Sequence, residues 1–96
     1  MDEFTNTEKT VIAHLSIHHR IVSNEPAVQK IFGGNEDERK KVLTSLRDRG
    51  FLKHYKRKNP DLQYIVPSMQ ARTLGSGFCS EARSGKWTPE NITLGE

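Results

Sequence analysis

A chain of 96 residues makes one domain, or one small domain with an extension, and its 33% hydrophobic content allows only a lean core. No apolar run approaches the ~18 residues of a membrane-spanning helix; the opening MDEFTNTEKT is too acidic and polar for a secretory signal; and the single cysteine, Cys79, excludes an intramolecular disulfide and fits a reducing cytoplasm. Net charge is only +3, yet residues 36–58 carry nine Lys/Arg against four Asp/Glu while each flanking segment carries three against four, a local basicity that suits a polyanion-binding face as well as a solvated surface.

Thr5-x-x-Glu8 has the form of a capping box, and Val11, Ile12 and Leu15 follow at helical spacing, which predicts a first helix over about residues 6–18. Arg20-Ile21-Val22 is short and β-branched, as a brief strand is. In SNEPAVQKIFGG, Ser23 or Asn24 caps a second, short helix, with Pro26 in its first turn. Val28, Ile31 and Phe32 form its apolar stripe, and Gly33-Gly34 ends it. That glycine pair follows no strand and precedes no Gly-Lys-Ser/Thr, so it does not read as a phosphate loop.

Asn35-x-x-Glu38 opens the clearest helix, residues 36–49, with Val42, Leu43 and Leu46 as its stripe and Gly50 as its stop. At 100° per residue the opposite direction passes through Asp37, Lys41, Thr44 and Asp48, flanked by Lys40 and Arg47. Arg39 falls nearer the buried side, so its stem packs while its charge reaches outward.

FLKHYKRKNPDLQYIV then reads as a two-stranded tongue over residues 51–66. Leu62, Tyr64 and Val66 alternate with Gln63 and Ile65, and the partner strand runs from Phe51 to about Arg57. Phe51-Leu52-x-x-Tyr55 leaves its inward face open, and Asn59-Pro60-Asp61 supplies the turn. The last 30 residues hold four Gly, four Ser, three Thr and two Pro without a sustained period, so residues 68–96 are expected to be a tail. Phe78, Trp87, Ile92 and Leu94 are apolar anchors within it, and Thr88-Pro89-Glu90 has the form of a short helix start. Trp87 either docks, on the domain or on a second copy, or stands alone in a disordered segment.

Helix, short strand, helix, turn, helix and basic β-hairpin, in that order over about residues 5–67, resembles the winged helix-turn-helix superfamily. The strongest carrier is ERKKVLTSLRDRGFLKHYKRKNPDLQYIV. The resemblance implies an α+β fold of three helices and a hairpin wing, here as a domain at 1–67 followed by the tail. It further implies double-stranded DNA as partner, with the third helix in the major groove and the wing on the backbone. Lys40, Lys41 and Arg47 then contact phosphates or guanine edges, and Thr44 a base or a thymine methyl. On the wing, Lys53, Lys56, Arg57 and Lys58 neutralise phosphates, and His54 adds a contact when protonated. A cytoplasmic transcription regulator of a bacterium, phage or plasmid is the expected role, with the tail as a dimer interface. A winged-helix adapter binding polymerase or a host regulator is the alternative, favoured by Glu36, Asp37 and Glu38, which crowd the start of the third helix.

KKVLTSLRDRGFL followed by a proline-containing wing is also similar to Z-DNA-binding (Z-alpha) domains. That family relies on an asparagine and a tyrosine on the helix and a tryptophan in the wing, where this chain has Lys40, Thr44 and Gln63 or Tyr64. All depart from the pattern, which argues against left-handed DNA. His14 and His18, four apart, could chelate a metal, but no HExxH motif or obvious third ligand accompanies them, so boundary histidines are expected. No nucleophile elbow or paired-acid motif marks an enzyme, no amphipathic helix marks a membrane binder, and no cofactor is implied.

Overall fold

Backbone hydrogen-bond supply at the helix ends accounts for where the first elements start in the computed structural model, which describes residues 4–22, 25–56 and 63–94. Helix α1 spans Asn6–His18. Thr5 Oγ1 accepts the Glu8 N–H at 3.2 Å while Glu8 Oε1 accepts the Thr5 N–H at 2.9 Å, so the capping box forms in both directions. Strand β1 is Ile21–Val22, and helix α2 is Pro26–Ile31. Its N-cap is Glu25, which makes no side-chain cap, rather than Ser23 or Asn24; Pro26 begins the helix where its missing N–H costs nothing. Helix α3 is Glu36–Asp48, and Asn35 Oδ1 accepts the Glu38 N–H at 3.1 Å. Gly50, at φ +86°, takes the left-handed conformation that turns the chain from α3 into the sheet.

Strands β2 (Leu52–Lys56) and β3 (Gln63–Pro67) form an antiparallel hairpin, and β1 pairs with the other edge of β3, giving the order β1-β3-β2. The register Leu52↔Pro67 and His54↔Ile65 fixes the face left open by the sequence. Ile21, Leu52, Ile65 and Pro67 lie inward, whereas Lys53, Tyr64 and Val66 lie on the outer face. Arg20 stacks its guanidinium 4.3 Å over the Tyr64 ring on that outer face. The turn at Asn59-Pro60-Asp61 lies outside the described residues. The architecture is thus α+β, with a three-stranded antiparallel sheet and four helices among the described residues.

The fourth helix corrects the expectation of a tail. Residues Met69–Arg83 form α4, capped by Ser68 Oγ accepting the Ala71 N–H at 3.2 Å. Its buried stripe is Ala71, Gly75 and Cys79, four apart and all small, set against α1. Small side chains let the two backbones approach: a Cβ at Gly75 would lie 2.5 Å from Ser16 Cβ and 2.7 Å from the Ile12 carbonyl oxygen. Phe4 meets Phe51 and Phe78 edge-on, with ring centroids 5.2 and 5.6 Å away, and so joins α4 to the core beneath the sheet.

Beyond α4 the chain crosses back over α1 as an arm without helix, so the helix start suggested by Thr88-Pro89-Glu90 is not used. Trp87 is buried with Ala13 and Cys79, and its Nε1–H donates to the Phe78 carbonyl at 2.8 Å. The Glu90 N–H donates to Thr10 Oγ1 at 2.9 Å, and Asn91 Nδ2 to the Ile31 carbonyl at 3.3 Å. Trp87 therefore docks on its own domain. Two cores result, one among α1, α2, α3 and the sheet, the other between α1, α4 and the arm.

An ion pair ties α1 to the far end of α3. Arg49 Nη1 donates to Glu8 Oε2 at 2.8 Å, with its guanidinium over the rings of Phe4 and Phe51. Both partners are largely shielded from solvent, which raises the pair above a surface contact. In a double-mutant cycle by urea denaturation, Glu8→Ala and Arg49→Ala should show a coupling of about 1 kcal/mol or more. Additive effects would mean that the pair contributes nothing to stability.

Candidate nucleic-acid interface

Because Leu43 and Leu46 are buried against the core, α3 turns its opposite side outward. Val42 is only half-buried, and Arg39 takes the remaining place in the inward stripe, as its phase predicts, but it is buried with its Nε enclosed rather than reaching outward with its charge. Lys40, Lys41 and Thr44 are exposed and together line a shallow open groove with Ser45, Asp48 and Arg49. Lys40 and Lys41 form no ion pair among the described residues. Arg47 is exposed beside them and is held by its neighbour Asp48, with Nη2 to Oδ1 at 3.3 Å. Such a surface pair contributes little and is readily exchanged for another anion. The first turn of α3 presents Glu36, Asp37 and Glu38, all exposed, so the cationic part of the helix is its middle.

The hairpin residues divide. Lys53 is exposed on the outer face of the sheet, apart from the groove on α3. His54, one residue on, lies on the inner face and is half-buried, with Nε2 enclosed and lacking a hydrogen-bond partner. Burial, and then the positive charge of Arg47, push its pKa down, opposed only by Asp48. The shift makes the protonated form, on which the expected phosphate contact of His54 depends, harder to reach. Arg57 and Lys58 lie outside the described residues, as does the side chain of Lys56.

Two residues escaped the sequence reading. Ser45 joins the groove beside Thr44, signalled only by its adjacency on the helix. Arg20 adds a second cation to the outer face of the sheet by stacking on Tyr64, a contact that only the β1–β3 pairing creates.

Among the described residues no group of three or more His, Cys, Asp or Glu is placed to hold a metal ion. His14 is 5% exposed, with the His18 ring 4.4 Å away. Burial, and then the charge of His18, lower its pKa to about 4. Glu25 Oε2, at 4.0 Å, is too distant to bond it and too exposed to reverse that effect. Because the folded-state pKa lies below the unfolded 6.5, the unfolded chain binds the extra proton first as pH falls. Stability linked to His14 is thus complete above about pH 6.5 and is lost as pH falls toward 4, by about 3 kcal/mol. Unfolding followed by Trp87 fluorescence should show this loss between pH 7 and 4, and His14→Gln should flatten it. An equally steep profile in that variant would assign the loss to carboxylates instead.

No helix among the described residues is long and apolar enough to cross a membrane. No protein-family model, curated protein or solved structure matches the chain at a significant level, so the chemistry of the face rests on its own residues and their placement.

Proposed function

We propose that the protein is a winged-helix transcription regulator that binds double-stranded DNA through the exposed face of α3 and the hairpin. The observation that carries this reading is the pair Lys40 and Lys41 beside Thr44, exposed on one helix and engaged in no ion pair among the described residues. The element order α1-β1-α2-α3-β2-β3 supports it, since a winged helix-turn-helix runs in the same order. In this reading α3 enters the major groove, Lys40 and Lys41 reach phosphates or guanine edges, and Thr44 meets a base. Arg47 exchanges Asp48 for a phosphate, and Lys53 on the hairpin meets the backbone beside the groove. The acidic first turn of α3 repels phosphate, so the helix docks by its middle rather than its N-terminus.

That same acidic turn favours a second reading, in which the domain binds a basic surface of a protein of the transcription machinery. Fluorescence anisotropy with a random-sequence duplex separates the two. Four phosphate contacts give a log–log salt slope of about −3.6, or roughly a hundredfold loss of affinity between about 50 and 200 mM salt. Absence of binding at the low end would sink the DNA reading.

A further inference from the structure

The outer face of the sheet looks away from both cores. The buried strand residues Ile21, Leu52, Ile65 and Pro67 all lie inward, whereas Val22, Lys53, Tyr64 and Val66, which alternate with them, are half-buried or exposed. The charge of this face has one sign. None of the three strands contains an acidic residue. Neither Arg20 nor Lys53 has an ion-pair partner among the described residues, and both are exposed. Lys53 is the β2 partner of Val66, and Arg20 comes level with Val66 on the other side, because it precedes Ile21, the partner of Ile65. Two strand spacings thus separate the cations, about 10 Å at the backbone.

Arg20 is held in place on this face. His19, at φ 61°, takes the left-handed conformation that ends α1 and turns the chain into β1. The Arg20 guanidinium then stacks 4.3 Å over the Tyr64 ring. Stacked in this way, it covers the ring with one of its faces and leaves the opposite face and its N–H edge to solvent. Such a plane accepts a nucleic-acid base, and the cations beside it accept the neighbouring phosphates. A duplex keeps its bases stacked on one another, so an unpaired strand is what brings a base to the plane. An acidic peptide would meet the charge and leave the plane unused.

We infer that the outer face of the sheet binds single-stranded nucleic acid, one base stacking on Arg20 above Tyr64 and the adjoining phosphates meeting the Arg20 N–H groups and Lys53. This activity is separate from duplex binding by α3 and does not depend on it. Lys53 is the one residue that both surfaces use, so the tests rest on Arg20 and Tyr64.

The probe is a fluorescein-labelled oligothymidylate of about 12 residues, which cannot pair with itself, titrated with the full chain at about 150 mM salt, where charges more than about 8 Å away act weakly. Binding should saturate, and with the unlabelled strand and ¹⁵N-labelled protein the amides of Ile21, Val22, Tyr64 and Val66 should shift while those of α3 do not. An abasic strand of the same length keeps the phosphates and should bind about tenfold more weakly. Arg20→Lys keeps the charge and removes the plane, at an exposed position where the fold tolerates the change, and should also cost about tenfold. Tyr64→Leu should do the same, with its melting temperature measured beside it. Lys40→Gln/Lys41→Gln should weaken a random duplex and leave the oligothymidylate affinity unchanged. The inference is overturned by the absence of saturation, by equal binding of the abasic strand, by an unchanged affinity in Arg20→Lys, or by shifts centred on α3. Equally tight binding of polyglutamate overturns it as well and assigns the face to an acidic protein. Duplex affinity of the parent is measured in parallel, so failure here leaves the duplex reading standing and failure there leaves this one.

Discussion

Gly75→Ala will destabilise the fold by about 1–3 kcal/mol, although alanine is the better helix former. The substitution sits mid-helix at ordinary φ, where intrinsic propensity alone predicts a gain of about 1 kcal/mol. Opposing that gain, the new Cβ would stand 2.7 Å from the Ile12 carbonyl oxygen and 2.5 Å from Ser16 Cβ. Neither can swing away, because one is helix backbone and the other is the first atom of a side chain. Helices α1 and α4 must separate, and the contacts around Ala13, Cys79 and Trp87 loosen with them. Gly77 provides the internal comparison: it lies two residues on in the same helix, exposed, with nothing within 4 Å of a built Cβ. Gly77→Ala should stabilise by about 0.5–1 kcal/mol. Urea midpoints of the two variants should move in opposite directions. Movement in the same direction would mean that the helices are not in close contact at Gly75.

The second large effect is expected in DNA binding. Lys40→Glu/Lys41→Glu should reduce the log–log salt slope by about two and weaken binding about a hundredfold or more near 50 mM salt. Both side chains are exposed and unpaired with any described acid, so the melting temperature should hardly change. Lys86→Glu, beyond the end of α4, alters net charge by half as much and should leave the slope nearly intact. If the α3 variant binds as tightly as the parent, helix insertion is wrong and the positive charge serves another purpose. If both variants weaken binding in proportion to charge alone, the attraction is a property of the whole surface rather than of one face.

What could be read in advance was whatever depends on strong local signals. Thr5 and Glu8 placed the start of α1, and Asn35 with Leu43, Leu46 and Gly50 placed α3 to within a residue. Once the stripe of α3 was known, geometry alone put Lys40, Lys41 and Thr44 outside. His54 was harder, because Phe51-Leu52-x-x-Tyr55 fits either strand phase and only the register of Leu52 against Pro67 decides which side chains turn inward. Helix α4 was missed for a different reason. Its buried stripe of Ala71, Gly75 and Cys79 has a helical period but almost no hydrophobic amplitude, since its role is to let another backbone come close. Two further cations of the basic segment, neither among the predicted contacts, are used in the fold: Arg39 packs inward, and Arg49, at the rim of the groove, is held by Glu8.

The packing of α4 and the arm on α1 has a consequence for the order of assembly. Helix α1 is synthesised early, yet Ala13 and Ser16 wait for Cys79 and Trp87, and Thr10 waits for the N–H of Glu90. At a synthesis rate of about 5–20 residues per second, that side of α1 stays uncovered for several seconds after the other has met β1 and α2. The nascent chain during that interval is a half-dressed helix, and premature release would leave it open to chaperones, proteases or another unfinished copy. The segment around Trp87 and Glu90 thus closes the second core: hydrogen exchange deep in α1 should become slow only once that segment has emerged and docked.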